Sequence, residues 1–197
     1  VFKEDLRNEL DSGVNLDTKR INVVDNDYEE NDNKNKPNVL VDVSDQLFLL
    51  DSSNVSKQIT QYVLSVILEN TESGVKGLLD GTRAVARITK LFTLSRESKS
   101  LESLAKLSSI LAGDMSKPLA ISLMSQDLPT TLLNLVENTH DQAFAELLYQ
   151  LNVESEFHQG IESVIGLMRS SNELVAETGC RLLVHASDPT QNKSYNQ

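Results

Sequence analysis

The chain has 197 residues, with 29 acidic and 18 basic side chains and a formal net charge of −11. That charge, with no Lys/Arg-rich run, argues against nucleic acid and anionic membrane as direct partners. No stretch of eighteen apolar residues occurs, so membrane insertion is not expected, and a single cysteine, Cys180, leaves no disulfide to form within the chain.

Hydrophobic residues make up 39%, with no Trp, five Phe and four Tyr, so Leu, Ile and Val have to fill the core, as they do in helical repeats. The chain opens at Val1 without a signal-like apolar segment, and a processed or cut-down piece is the expectation. Residues 1–44 read as an acidic arm. Residues 1–45 hold twelve acidic and six basic residues, about half the net charge. The run from Asp25 to Pro37 has no apolar periodicity and cannot bury enough surface to offset its ordering entropy, so the arm is expected to be largely disordered. The islands Ile21–Val24 and Val39–Val43 could pair as short strands, dock as an extended arm, or hold only transient structure.

From Ser44 the pattern becomes helical, and residues 45–188 read as one all-α domain followed by a polar tail, 189–197. Asp45 to Leu50 suggests a first short helix, and Asp51–Asn54 a turn rich in capping residues. Ile59, Tyr62, Val63, Val66 and Ile67 form the next stripe. Gly74, Gly77 and Gly81 suggest a loop, and Val85, Ile88, Leu91 and Phe92 a helix from about Thr82 to Leu94. Ser100 suits the cap of a helix carrying Leu101, Leu104, Leu107, Ile110 and Leu111, with Gly113 past its end. Pro118 and Pro129 stand in the first turns of two further helices, and Asp141 opens one carrying Phe144, Leu147, Leu148 and Leu151. The last pair starts near Ser155. Its stripes are Ile161, Val164, Ile165, Leu167 and Met168, then, after a cap at Asn172, Val175, Gly179, Leu182, Leu183 and Ala186. Eight or nine helices result, with Cys180 read as a small buried apolar residue.

A shift of 32 residues places the last pair on the one before it: Ile161 falls on Pro129, Val164 on Leu132, Gly179 on Leu147 and Leu183 on Leu151. Leu183 is therefore a core residue by this register. A looser copy starts near Val85. Such repetition marks a helical solenoid. Gly160–Ser187 resembles the last two helices of an armadillo repeat, departing at Gly179, where Ala is usual, and at Ala186, where a larger apolar residue is usual. The resemblance implies an armadillo-like right-handed superhelix of short helices.

No catalytic constellation appears. His140, His158 and His185 stand apart, without HExxH or Cys partners, and read as surface or helix-end residues. The three glycines match neither GxGxxG nor a P-loop, and GxSxG is absent. No catalytic residue, metal ligand or cofactor is assigned. Asn54-Val55-Ser56 and Asn192-Lys193-Ser194 match the glycosylation sequon, making Asn54 and Asn192 candidate glycosylation sites.

Asp11-Ser12-Gly13-Val14-Asn15-Leu16-Asp17-Thr18, then an acidic linker, then a helical domain, is an order similar to that of the lumenal Hsp70 nucleotide-exchange factors. That family usually has Gly after the Thr and a Pro-Gly-Gln segment before it; here Lys19 follows and Pro-Gly-Gln is missing. The resemblance implies a glycoprotein co-chaperone of the endoplasmic reticulum lumen (cytoplasm being the alternative) that grips the ATPase domain of a BiP-type Hsp70. The function expected is thus a non-catalytic protein-binding module, most specifically such an exchange factor. The alternative is a generic scaffold or adaptor holding another protein in its concave groove.

Overall fold

The computed structural model describes residues 43–95 and 98–188; the acidic arm and its expected disorder, the Asp11–Thr18 segment and the Asn192 sequon lie outside the described residues. Every regular element among them is helical. A short α1 (Val43–Leu47) runs into a 3-10 turn (Phe48–Asp51). Then come α2 (Lys57–Glu69), α3 (Thr71–Leu79), α4 (Ala84–Leu94), α5 (Ser98–Asp114), α6 (Lys117–Met124), α7 (Leu128–Thr139), α8 (Gln142–Glu154), α9 (Ile161–Met168) and α10 (Glu173–Ser187). These are ten α-helices, where the sequence suggested eight or nine.

Most starts follow local chemistry. Ser56, Asp141 and Asn172 each accept a hydrogen bond from a first-turn backbone N–H, of Ile59, Ala143 and Val175 respectively, at 2.9–3.3 Å. Pro118 and Pro129 occupy first turns, where the missing N–H is not needed. His140 ends α7 in the left-handed region at φ 55°. The expected glycine loop is a helix instead. Gly74 and Gly77 lie inside α3, and a Cβ on Gly74 would stand 2.8 Å from the Ile67 Cα and carbonyl oxygen. Here glycine lets α3 fold back tightly on α2, a reason that local propensity does not reveal.

The long helices share one buried pattern. In α2 it is Thr60, Val63, Leu64 and Ile67. In α5 it is Leu104, Leu107, Ser108 and Leu111; in α8, Phe144, Leu147, Leu148 and Leu151; in α10, Val175, Thr178, Gly179 and Leu182. Each set runs i, i+3, i+4, i+7, the stripe of an amphipathic helix. Three of its polar members are satisfied within their own helix: Thr60 donates to the Lys57 carbonyl, Ser108 to Leu104 and Thr178 to Leu174, all at 2.7–2.8 Å. The stripes explain the packing: α2 lies against α5, α5 against α8, and α8 against α10. A second line runs alongside, with α4 on α7 and α7 on α10, built from Ile88, Leu91 and Phe92 against Leu132, Leu135 and Val136 as the equivalent buried positions. The fold is helical-repeat-like and all-α.

The register of the last unit differs from expectation by one residue. The stripe of α10 matches that of α8 at an offset of 31, Val175 on Phe144 and Leu182 on Leu151, rather than 32. Leu182 is therefore the core residue, and Leu183 is only half-buried. Cys180 consequently faces solvent instead of the core. Ile161 and Ile165 are also exposed, because only Val164 of α9 is buried, with Leu167 and Met168 half-buried.

The N-terminal end is tied down by charge. Arg87, on α4, donates Nε to Asp51 Oδ1 and Nη2 to Oδ2 at 2.8 and 2.7 Å, while Arg83 reaches Oδ2 at 2.7 Å. Lys90 donates to the Leu50 and Ser52 carbonyls, at 2.8 Å each. The side chains of Arg87 and Asp51 are only 9% and 17% exposed. The Arg87 hydrogen bond, ahead of that from Arg83, holds the Asp51 carboxyl below its usual pKa against the opposing effect of burial. A depressed folded pKa means stability that is present above the unfolded pKa and lost as pH falls through the folded one. Asp51→Asn is thus expected to cost about 2 kcal/mol at pH 7, by leaving Arg87 without its counter-ion. The gap from the parent should close as acid protonates Asp51 below the ordinary carboxylate range. Urea unfolding at pH 7 and in acid measures both; a gap independent of pH would refute the assignment.

Candidate protein-binding face

Opposite each buried stripe, the long helices present a second set of side chains. On α8 it is Glu146, Tyr149, Gln150 and Val153. The equivalent positions are Glu177, Cys180, Arg181 and Val184 on α10 and Lys106, Ser109, Ile110 and Gly113 on α5; on α2 the set is interrupted, because Val66 at the corresponding place is buried. Because α5, α8 and α10 pack in succession, their positions stand side by side on one face. It mixes aromatic, aliphatic and charged groups, and Val184 is 72% exposed.

The best-built part spans α8 and α10. Arg181 Nη1 donates to Glu146 Oε2 at 2.8 Å, and its guanidinium carbon stands 4.2 Å from the Tyr149 ring centroid. Gln150 Nε2 donates to the other Glu146 oxygen at 3.3 Å. The hydrogen bond from Arg181 lowers the Glu146 pKa, with burial opposing it, and the same bond raises that of Arg181. Both side chains are about one-third exposed, so the pair is screened and contributes little stability of its own. Its effect is to hold the guanidinium over the Tyr149 ring. His185 stands edge-on to that ring at 6.3 Å, and Phe157 lies tilted 6.2 Å from His185. The result is a preformed row, Arg181–Tyr149–His185–Phe157, in side-chain types that dominate binding energy at protein interfaces.

The residues singled out in the sequence are scattered. Asn54 is exposed in the turn before α2, and Ser56 of its sequon caps that helix. His140 and His158 are exposed at helix ends, and His158 Nε2 lies 3.4 Å from Ser125 Oγ. Among the described residues no group of His, Cys, Asp and Glu could hold a metal ion. Also among them, no helix is long and apolar enough to cross a membrane. The arrangement offers recognition chemistry: Glu146 is paired with Arg181 and Gln150 beside the Tyr149 ring. Local sequence carries no sign of the Glu146–Arg181 pair, whose members lie 35 positions apart. The repeat itself was the available signal, since it sets α8 beside α10. No family model matches the chain, and no curated protein or solved structure is significantly similar to it.

Proposed function

We propose that the chain is a non-catalytic protein-binding module, most specifically a nucleotide-exchange factor for a BiP-type Hsp70 of the endoplasmic reticulum lumen. The observation that carries the binding reading is the face of α5, α8 and α10 with its preformed Arg181–Tyr149 pair. Helices α3–α5 and α6–α8 are read as three-helix units, with α9–α10 as a shorter terminal one. Stacked units of this kind rotate slightly on one another, giving an armadillo-like right-handed superhelix whose concave side is the face of the long helices. The exposure of Asn54 is compatible with a glycan there, as a lumenal setting would require. The exchange-factor reading rests on the Asp11–Thr18 segment and on its order before the helical domain.

Gripping one lobe of an ATPase domain lowers nucleotide affinity through differential binding to open and closed forms. The chain is therefore expected to weaken ADP binding by at least about fivefold and to speed its release, without hydrolysing nucleotide. Stopped-flow release of a fluorescent ADP analogue from a lumenal Hsp70 ATPase domain tests this. Tyr149→Ala and Arg181→Glu should each weaken the effect, and added salt should slow association. An unchanged release rate across lumenal and cytosolic Hsp70s removes the exchange-factor reading. The generic scaffold then remains, as the departures at Lys19 and the missing Pro-Gly-Gln favour.

A further inference from the structure

Helix α9 carries two of the four exposed large hydrophobic side chains among the described residues, Ile161 and Ile165, on only two turns. Its inner side, Val164 with Leu167 and Met168, rests on α10. Its open side is the stripe Glu162, Ile165, Gly166 and Arg169, all four exposed. Arg169 closes the helix but keeps nearly helical backbone angles, φ −88° and ψ −1°, so the stripe runs i, i+3, i+4, i+7. That spacing makes a contact face on a helix, as it does on α2, α5, α8 and α10.

Gly166 is the odd member. Glycine is the poorest helix former short of proline, and inside a helix it marks a place where another element comes close. Gly74 and Gly179 meet a neighbouring backbone within the chain, whereas a Cβ on Gly166 would meet nothing within 4 Å. Glu162 and Arg169 likewise form no ion pair among the described residues. The stripe thus holds an apolar knob, a gap, an acid and a base, each without its complement.

The complements lie within the stripe itself. A second α9, turned antiparallel about a two-fold axis between Ile165 and Gly166, sets each Ile165 on the other copy's Gly166. The same axis brings each Glu162 beside the other copy's Arg169. One rotation therefore satisfies all four residues twice over, which is the self-complementarity an isologous contact requires. We propose that two copies of this chain associate through α9 as a symmetric antiparallel dimer. Two turns per copy make a small interface, in the class of transient encounters. The contact uses no residue of the α5–α8–α10 face and does not rest on the exchange-factor reading.

Sedimentation equilibrium of the full chain tests this at physiological salt, which screens the −11 net charge that opposes self-association. The weight-average mass should climb from one chain toward two, with a dissociation constant below about 1 mM. Glu162→Arg and Arg169→Glu should each weaken association about tenfold, because the two-fold axis makes both charge contacts repulsive at once. Mixed in equal amounts, the two variants should regain the parent's affinity, since every Arg then faces a Glu; a folding defect would not be rescued by mixing. Gly166→Ala should raise the denaturation midpoint of the dilute chain, alanine being the better helix former, yet weaken the dimer at least about threefold by filling the gap beneath Ile165. A chain that stays monomeric throughout, charge swaps that leave association unchanged, or a mixture no stronger than its components would each overturn the proposal.

Discussion

Gly179→Ala is expected to destabilise the domain by about 2 kcal/mol, although alanine is the better helix former by roughly 1 kcal/mol. A Cβ at Gly179 would stand 2.6 Å from the Met168 backbone nitrogen, 2.8 Å from its Cγ and 3.1 Å from the Leu167 carbonyl carbon. Two of these three neighbours are backbone, so relief requires α9 to move away from α10 as a body. Such movement would open the contact that buries Val164 and the inner halves of Leu167 and Met168. Gly179 is thus the point at which the terminal helices touch main chain to side-chain-free main chain. Guanidinium unfolding of the variant measures the loss, and a gain in stability would sink this account.

Leu182→Ala is expected to cost about 2–5 kcal/mol, whereas Leu183→Ala should cost markedly less. Leu182 is fully buried in the i, i+3, i+4, i+7 stripe of α10, and Leu183 is only half-buried beside it. The difference between these adjacent leucines reports the register of the last helix against α8. Equal losses, or a larger loss at Leu183, would restore the 32-residue offset and move Cys180 inward. The midpoints from chemical denaturation, with a check that the slope is unchanged, decide between the two.

The helices were legible where a single face is apolar and the starting residue caps. Asp141 and Asn172 were identified as starts from the sequence, and both make the backbone hydrogen bond that the role requires. Three things were not legible, each for a tertiary reason. The glycines of α3 looked like punctuation because what they accommodate, the Ile67 backbone at Gly74 and the Leu47 side chain at Gly77, lies on other helices. The adjacent pair Leu182-Leu183 fits a helical stripe in either of two rotations, and only packing against α8 selects one. Cys180 took its expected burial from apolar chemistry, yet it lies on the open face, in the position that Tyr149 holds on α8. The binding face was hidden for the same reason: Glu146, Tyr149 and Arg181 are ordinary surface residues until the repeat sets their helices side by side.

The order of packing also sets how the molecule transmits force. Helices α2, α5, α8 and α10 join in series, with α4, α7 and α10 as a parallel line, so a push delivered at α10 travels to α2 through each intervening seam. Compliance adds along such a line: a small rotation at each seam becomes a large displacement at the ends, while no single seam is strained. A partner held against the face of the long helices would feel a spring whose stiffness is set by residues it never touches.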